Sequence, residues 1–379
     1  MKKVFGLIVF VALIMLLFPA SAFADSFNTA TGELVIDTNP PGNNLALAIA
    51  NAMGVNPYTS VTSFTITSDV IYTLGSADQS FITSAFDFLE RLDIASTVSF
   101  NADGALPVGD VMNGFCSGLT FLQSVNLPSA VYFGDNAFAG CTALSTVNLP
   151  SAASFDTAAF VACYGLNSIT LPSATSFGTA AFISCINLSS VSLPLAQQFG
   201  DQCFQDCDSL ASVSLPNATT FGNATFWGCT SLTSISLPSA DSFLAVTFGN
   251  CTSLSSVSLP SITSMGPGTF SGCSQAIVLT LPTSVPTTDV NVFGGYTMNA
   301  ASRVRIPEVS FNAYDNHALD VTGASGDGLW FGWTLDRIAA GAVANPPTGD
   351  RGFSYVWLVM ILPLLVAAYI IGKRKMLHN

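Results

Sequence analysis

Apolar positions recur at a step of 22 residues from Leu119 to Pro282, through the ends of eight gapless copies, the first entered part-way at Leu119. Each copy closes on Leu-Pro, from Leu127 and Pro128 to Leu281 and Pro282. One phenylalanine column runs Phe138, Phe160, Phe182, Phe204, Phe226, Phe248, Phe270, and a second runs from Phe133 to Phe243 before lapsing to Met265. Cysteines keep the same step from Cys141 to Cys273, with Leu119 in that column of the first copy. A fixed period of this size specifies a solenoid. The central phrase is Leu-x-x-Val-x-Leu-Pro, as in Leu144, Val147, Leu149 and Pro150. Alternation across Val147 and Leu149 predicts a strand with one buried face. The proline cannot donate to a ladder and ends the strand. Stacked copies then form a parallel sheet with about 4.8 Å between equivalent residues. A single copy cannot bury its own apolar face, so neighbouring copies complete the core. The expected fold class is α/β, a solenoid with this sheet on its concave face and short turns or helices on the convex side.

Looser forms of the phrase flank the regular block. Val61, Phe64 and Ile66 keep its spacing, as do Leu89, Leu92 and Ile94. Beyond Pro282 it returns at Ala301, Val304, Ile306 and Pro307, and again at Trp330, Trp333 and Leu335. These read as atypical end turns, which cap a stack where it meets water. Asn44 to Met53 and Ser76 to Phe88 read as helices, the second with Asp78 in its first turn, where a carboxylate suits the dipole. The solenoid is thus expected from about Val61 to Leu335.

Residues flanking the central Val or Ile must point away from the core. Down the stack they include Ser124 and Asn126, Thr146 and Asn148, Ser168 and Thr170, Ser190 and Ser192, Ser212 and Ser214, Ser234 and Ser236, Ser256 and Ser258. This ladder of hydroxyls and amides meets Arg91 and Asp93 at one end and Arg303 and Arg305 at the other. It reads either as a face that binds an extracellular protein or glycan, the charges orienting the ligand, or as a merely solubilising surface with charged edges that deter stacking.

The phrase Ala137-Phe138-Ala139-Gly140-Cys141-Thr142-Ala143-Leu144, followed by Val147, Leu149 and Pro150, resembles the BspA-type leucine-rich repeat. The resemblance implies a leucine-rich-repeat solenoid on a microbial surface, in a family associated with adhesion. A repeat scaffold does not itself name a ligand.

Charge narrows the partners. The chain has 379 residues, only 9% of them charged, and a formal net charge of −13. No Lys or Arg stands between Arg91 and Arg303. Phosphate contacts need basic groups, so nucleic acid is not an expected partner.

Enzyme chemistry finds little to work with. The two histidines are His317 and His378, and no Gly-x-Ser-x-Gly elbow accompanies the serines. Asp201, Asp206 and Asp208 lack the spacing of a calcium loop and read as solvated turn carboxylates. No metal or cofactor is expected. The nine cysteines form no Cys-x-x-Cys pair, and the column cysteines read as buried apolar filler. Cys203 and Cys207 stand four apart, where packing is the main reading and a disulfide the other.

The two ends carry processing signals. Lys2 and Lys3, an apolar run from Val4 to Phe18, and Ala22-Phe23-Ala24 form a secretory leader with cleavage after Ala24. At the other end Asn345, Pro346, Pro347, Thr348 and Gly349 precede an apolar run from Phe353 to Ile371 and the basic Lys373-Arg374-Lys375. This order resembles a Gram-positive cell-wall sorting signal of the Leu-Pro-x-Thr-Gly type, with Asn345 in place of Leu. The resemblance implies sortase as a processing partner, cleavage between Thr348 and Gly349, and attachment to wall peptidoglycan. The alternative is a plain membrane anchor of about 20 residues with a cytoplasmic basic tail. The expected layout is leader 1–24, N-terminal cap 25–115, regular repeats 116–290, C-terminal cap 291–340, linker 341–352, span 353–372 and tail 373–379. The repeats would face outside, as an adhesin or, alternatively, an inert spacer.

Overall fold

The computed structural model describes residues 113–284 without interruption. On either side it describes 26–28, 30–31, 33–37, 61–67, 72–74, 88–94, 98–100, 110–111, 286–288, 302–307, 329–330 and 333–338, with single positions at 52, 79, 82, 85, 86 and 292. The chain divides into a unit at 1–340 and a second at 341–379. The leader, the sorting motif, the apolar tail and His317 lie outside the described residues. No helix among the described residues is long and apolar enough to cross a membrane.

Each Leu-x-x-Val-x-Leu-Pro phrase forms a three-residue strand centred on its Val or Ile, or on Leu279 in the last copy. Ser168–Thr170 is typical, with Ile169 buried between two exposed residues. The strand stops two residues short of the proline, and the proline enters a turn. Partners are offset by 22 residues, as in Ser190↔Ser212, Val191↔Val213 and Ser192↔Ser214.

Of the expected turns or helices, the return path takes turns, and it adds a short strand that was not expected. In place of helices the chain makes a turn, a two-residue strand ending on the second phenylalanine column, and a six-residue turn through Phe-x-x-Cys. The two-residue strands join into an unbroken nine-stranded sheet from Asp110–Val111 to Thr287–Thr288, parallel in every pairing. The six-residue turns form a further ladder. In it Asn136, Phe138 and Gly140 donate their N–H groups to Thr157, Ala159 and Val161 at 2.8 Å, and the pattern repeats up the stack. The molecule is therefore a parallel β-solenoid with very little helix among the described residues. The α/β label holds only for its parallel sheet. Helical turns are found at Gln79, Ile82 and Ala85, within the expected 76–88 segment. Of the 44–53 helix, only Ala52 is described.

The first sheet is not continuous. Its strands pair up to Thr146–Asn148, start again at Ser168–Thr170, stop at Ser212–Ser214 and resume at Ser234–Ser236. Val147 and Val213, the central residues just before each opening, are only partly buried. The stack also begins earlier than expected. Glu33–Asp37 pairs in parallel with Ser63–Thr67, and Ser26–Asn28 closes that edge antiparallel. At the far end Arg303–Pro307 pairs with Trp333–Ile338, which folds back antiparallel onto Leu329–Trp330.

One apolar core runs the length of the stack. Rings of the Phe138 column stack face to face, with centroids 5.1 Å apart for Phe160 and Phe182 and planes within 2°. Rings of the Phe133 column do the same until Phe221 and Phe243, which meet at 73°. The break coincides with Leu244. In neighbouring turns that position is Gly, and a Cβ at Gly200 would lie 2.6 Å from the backbone carbon of Gly178. A leucine cannot sit so close. Its N–H reaches Phe221 O at 3.3 Å, against 2.8 Å for Gly200 to Phe177.

Candidate functional site

The outward positions of the strands form the candidate face. Ser168, Thr170, Ser212, Ser214 and Ser234 are exposed, while Ser190, Ser192, Ser236, Ser256 and Ser258 are half-buried by their neighbours. Parallel pairing in register sets Ser190 beside Ser212 and Ser234 beside Ser256. The two openings divide the face into blocks, so it is not one even lattice.

Hydroxyls elsewhere on the stack behave differently. Ser145, Ser189 and Ser255, just before the strand, donate to the carbonyl of the equivalent residue one turn back, at 2.9–3.2 Å. Thr175, Thr219 and Thr263, just before the return strand, do the same at 3.0–3.1 Å. Ser173, Ser239 and Ser261 donate to the proline carbonyl of the turn before, each at 2.7 Å. These groups lock turn to turn. By contrast, the outward hydroxyls from Ser168 to Ser258 make no side-chain hydrogen bond to any described residue, and their donors remain open to an incoming molecule. Sequence reasoning singled out the hydroxyls flanking the central Val or Ile by their orientation, and the geometry adds that those at the other positions lock turn to turn.

The flanking charges also differ from each other. Arg91 Nε donates to Asp93 Oδ2 at 2.6 Å, and the two form an ion pair, so this end of the face is internally neutralised. Arg303 and Arg305 stand at the other end, in register with Val278 and Thr280 on one side and Thr334 and Asp336 on the other. Arg305 is exposed and Arg303 half-buried.

Two of the turn carboxylates are engaged in structure. Asp201 Oδ1 accepts the Asn223 N–H at 2.7 Å, and Asp206 Oδ2 accepts from Gln205 Nε2 at 3.1 Å. No group of three or more His, Cys, Asp or Glu able to hold a metal occurs among the described residues. All nine cysteines are free thiols and buried, Cys203 and Cys207 included. The column thiols do more than fill space. Cys163 Sγ donates to Phe138 O at 3.2 Å, and the same bond recurs to Cys273 Sγ and Phe248 O. Burial pushes the Cys185 thiol up to about 12. Such a thiol is not a nucleophile at neutral pH, because the thiolate is the reactive form.

The BspA type leucine-rich repeat region matches residues 112–217 and 197–319, in six copies. No curated protein matches the chain. Among solved structures, the chain is similar to a leucine-rich repeat protein from Bacteroides ovatus, at 19% identity over 85% of this chain and 99% of that one, with a TM-score of 0.42. It is also similar to the T. pallidum leucine-rich repeat protein, at 22% identity over 68% and 89% of the two chains, with a TM-score of 0.36. A third is a leucine-rich cell surface protein from Faecalibacterium prausnitzii, at 17% identity over 78% and 89%, with a TM-score of 0.34. No catalytic family is indicated. With its 22-residue step, its Phe-x-x-Cys returns and this match, the chain belongs to the BspA-type leucine-rich-repeat family.

Proposed function

We propose that this protein is a cell-surface binding module, an adhesin that presents its strand face to an extracellular protein or glycan. One observation carries the reading: the outward hydroxyls from Ser168 to Ser258 are unbonded while those of the surrounding turns are tied to backbone. Each such group contributes roughly 0.5–1.5 kcal/mol when it meets a partner, so affinity is built over several turns. Arg303 and Arg305 orient the ligand by charge at one end. The leader and the tail support an exported protein whose repeats face outside, held at the wall through Thr348 after sortase cleavage. Boiling purified walls in detergent tests that attachment: the protein stays bound, whereas release at full length, with Lys373 to Lys375 retained, would assign the tail to a membrane anchor.

Arrays of glycans and matrix proteins, probed with the purified chain, test the binding claim. Saturable capture of a defined ligand supports it. Absence of capture on every array would replace the adhesin with a spacer, for which solubility alone accounts for the hydroxyl face.

A further inference from the structure

The two openings of the first sheet are one-sided. At closed junctions the second Leu of the phrase donates its N–H to the following turn, as from Leu127, Leu171, Leu193, Leu237 and Leu259 at 2.9–3.3 Å. The N–H just before the strand binds the preceding turn, as from Ser145, Ser189, Ala211 and Ser255 at 2.8–3.0 Å. Among the described residues neither bond forms at the openings. Leu149 does not reach Thr170 and Asn167 does not reach Ser145; the same holds for Leu215 with Ser236 and Thr233 with Ala211. The return path of the same turns stays tied. Across the first opening the Phe138 N–H meets Ala159 O and the Asp156 N–H meets Phe133 O, both at 2.8 Å. Across the second the Phe204 N–H meets Thr225 O at 2.8 Å and the Gly222 N–H meets Phe199 O at 2.9 Å.

Both openings have the same neighbours. Of the eight central residues from Val125 to Leu279, two are isoleucine, Ile169 and Ile235. Each stands just past an opening, one turn after Val147 or Val213. The isoleucines are buried, at 3 and 4% exposure, whereas the two valines are only partly buried. Each isoleucine pairs normally with the valine that follows it, Val191 or Val257. An extra methylene in a close-packed column forces the backbone to shift, and parting from one neighbour takes it up. Leu279 carries its branch one carbon further from the backbone, and its junction with Val257 stays closed.

We infer that Ile169 and Ile235 are wedges that hold the strand side parted at two joints, and that the solenoid bends there about its unbroken return sheet. Three blocks result, one ending at Asn148, one running from Ser168 to Ser214 and one starting at Ser234. A joint tied along one wall opens and closes the other, so the tilt between blocks sets how far apart their outward residues lie. On the reading of this face as a binding surface, the joints fit it to ligands of differing shape.

Amide hydrogen exchange of the full chain compares the wild type with the Ile169→Val, Ile235→Val double variant. The Leu149 and Leu215 amides, fast in the wild type, are expected to slow by roughly fivefold or more in the variant. Loss of a buried methylene by itself speeds exchange, so slowing is specific to closure of the joints. Val191→Ile makes the converse change and is expected to speed the Leu171 amide. Bending is read separately, with spin labels on Thr146→Cys and Ser234→Cys. The labels react there selectively because the native thiols are buried. The two sites stand four turns apart, about 19 Å, across both joints. Their distance distribution is expected to be broad in the wild type and to narrow in the double valine variant. The inference is overturned if Leu149 and Leu215 exchange no faster than Leu171 in the wild type, or if the valines leave them fast. It is also overturned if Val191→Ile leaves Leu171 slow, or if the distance distribution is the same with and without the isoleucines. None of these readouts involves a ligand, so the joints stand or fall apart from the adhesin reading.

Discussion

Phe204 O takes two donors, the Cys207 N–H at 3.3 Å and the Cys229 thiol at 3.2 Å from the next turn. The column cysteine thus satisfies a buried carbonyl while filling a gap the size of its own side chain. Cys229→Ala removes both effects and is expected to cost about 1–3 kcal/mol in urea denaturation. Native thiols should resist alkylation until the stack unfolds; rapid labelling of the folded chain would show that burial does not protect them. Backbone conformation gives a second prediction. Val246 has φ of 51°, a region disfavoured for a β-branched residue, and the equivalent position one turn later is Gly268 at 64°. Val246→Gly should therefore raise stability by about 1 kcal/mol, read as a higher denaturation midpoint. Asp156 gives a third. It occupies the glycine column, where burial, and then the Asp135 carboxylate, raise its affinity for a proton above that of an ordinary aspartate. The folded state holds this proton more tightly than the unfolded one. Stability therefore falls as pH rises from the usual aspartate value to the raised one, and is flat above it. Asp156→Asn should remove that part of the slope, visible as a wild-type-minus-variant difference in melting temperature across the acid range.

At the scale of elements, the strands were legible and the return path was not. Leu-x-x-Val-x-Leu-Pro fixes strand, register and stop, because alternation and proline act within six residues. The return carries two phenylalanines separated by four residues, which reads as a buried turn of either kind. Only its partner one copy away makes it a sheet. Glu33–Asp37 was missed because Leu34 and Ile36 stand alone, without the upstream leucine or the proline. The openings after Asn148 and Ser214 leave no trace in the strands that lead into them, since Thr146–Asn148 and Ser212–Ser214 share their pattern with strands that pair normally. Hydrogen exchange should find them: amides at the edges of both openings are expected to exchange faster than those of the unbroken ladder at Phe160, Phe182 and Phe204. Equal protection throughout would mean that the sheet is continuous in solution.

For the whole molecule, the outward ladder was legible as a set of residues but not as a site. Period-2 reasoning placed Ser168 to Ser258 outside, and the burial pattern agrees. Which hydroxyls are open and which lock neighbouring turns depends on the carbonyls they meet one turn away. Charge acts at this scale too. Arg91 is paired with Asp93, so the proposed steering rests on the Arg303–Arg305 end, and its effect should shrink with added salt. Arg303→Ala with Arg305→Ala is expected to slow association mainly at low ionic strength.

The most direct test replaces Ser212, Ser214, Ser234 and Ser236 by lysine and compares binding with the wild-type chain on the ligand its array identifies. All four side chains point outward without a hydrogen bond of their own, so the thermal midpoint should stay near wild type while binding is lost. Retained binding by this folded variant, or an equal loss from four lysines placed on the six-residue turns of the return path, would contradict the assignment of the strand face.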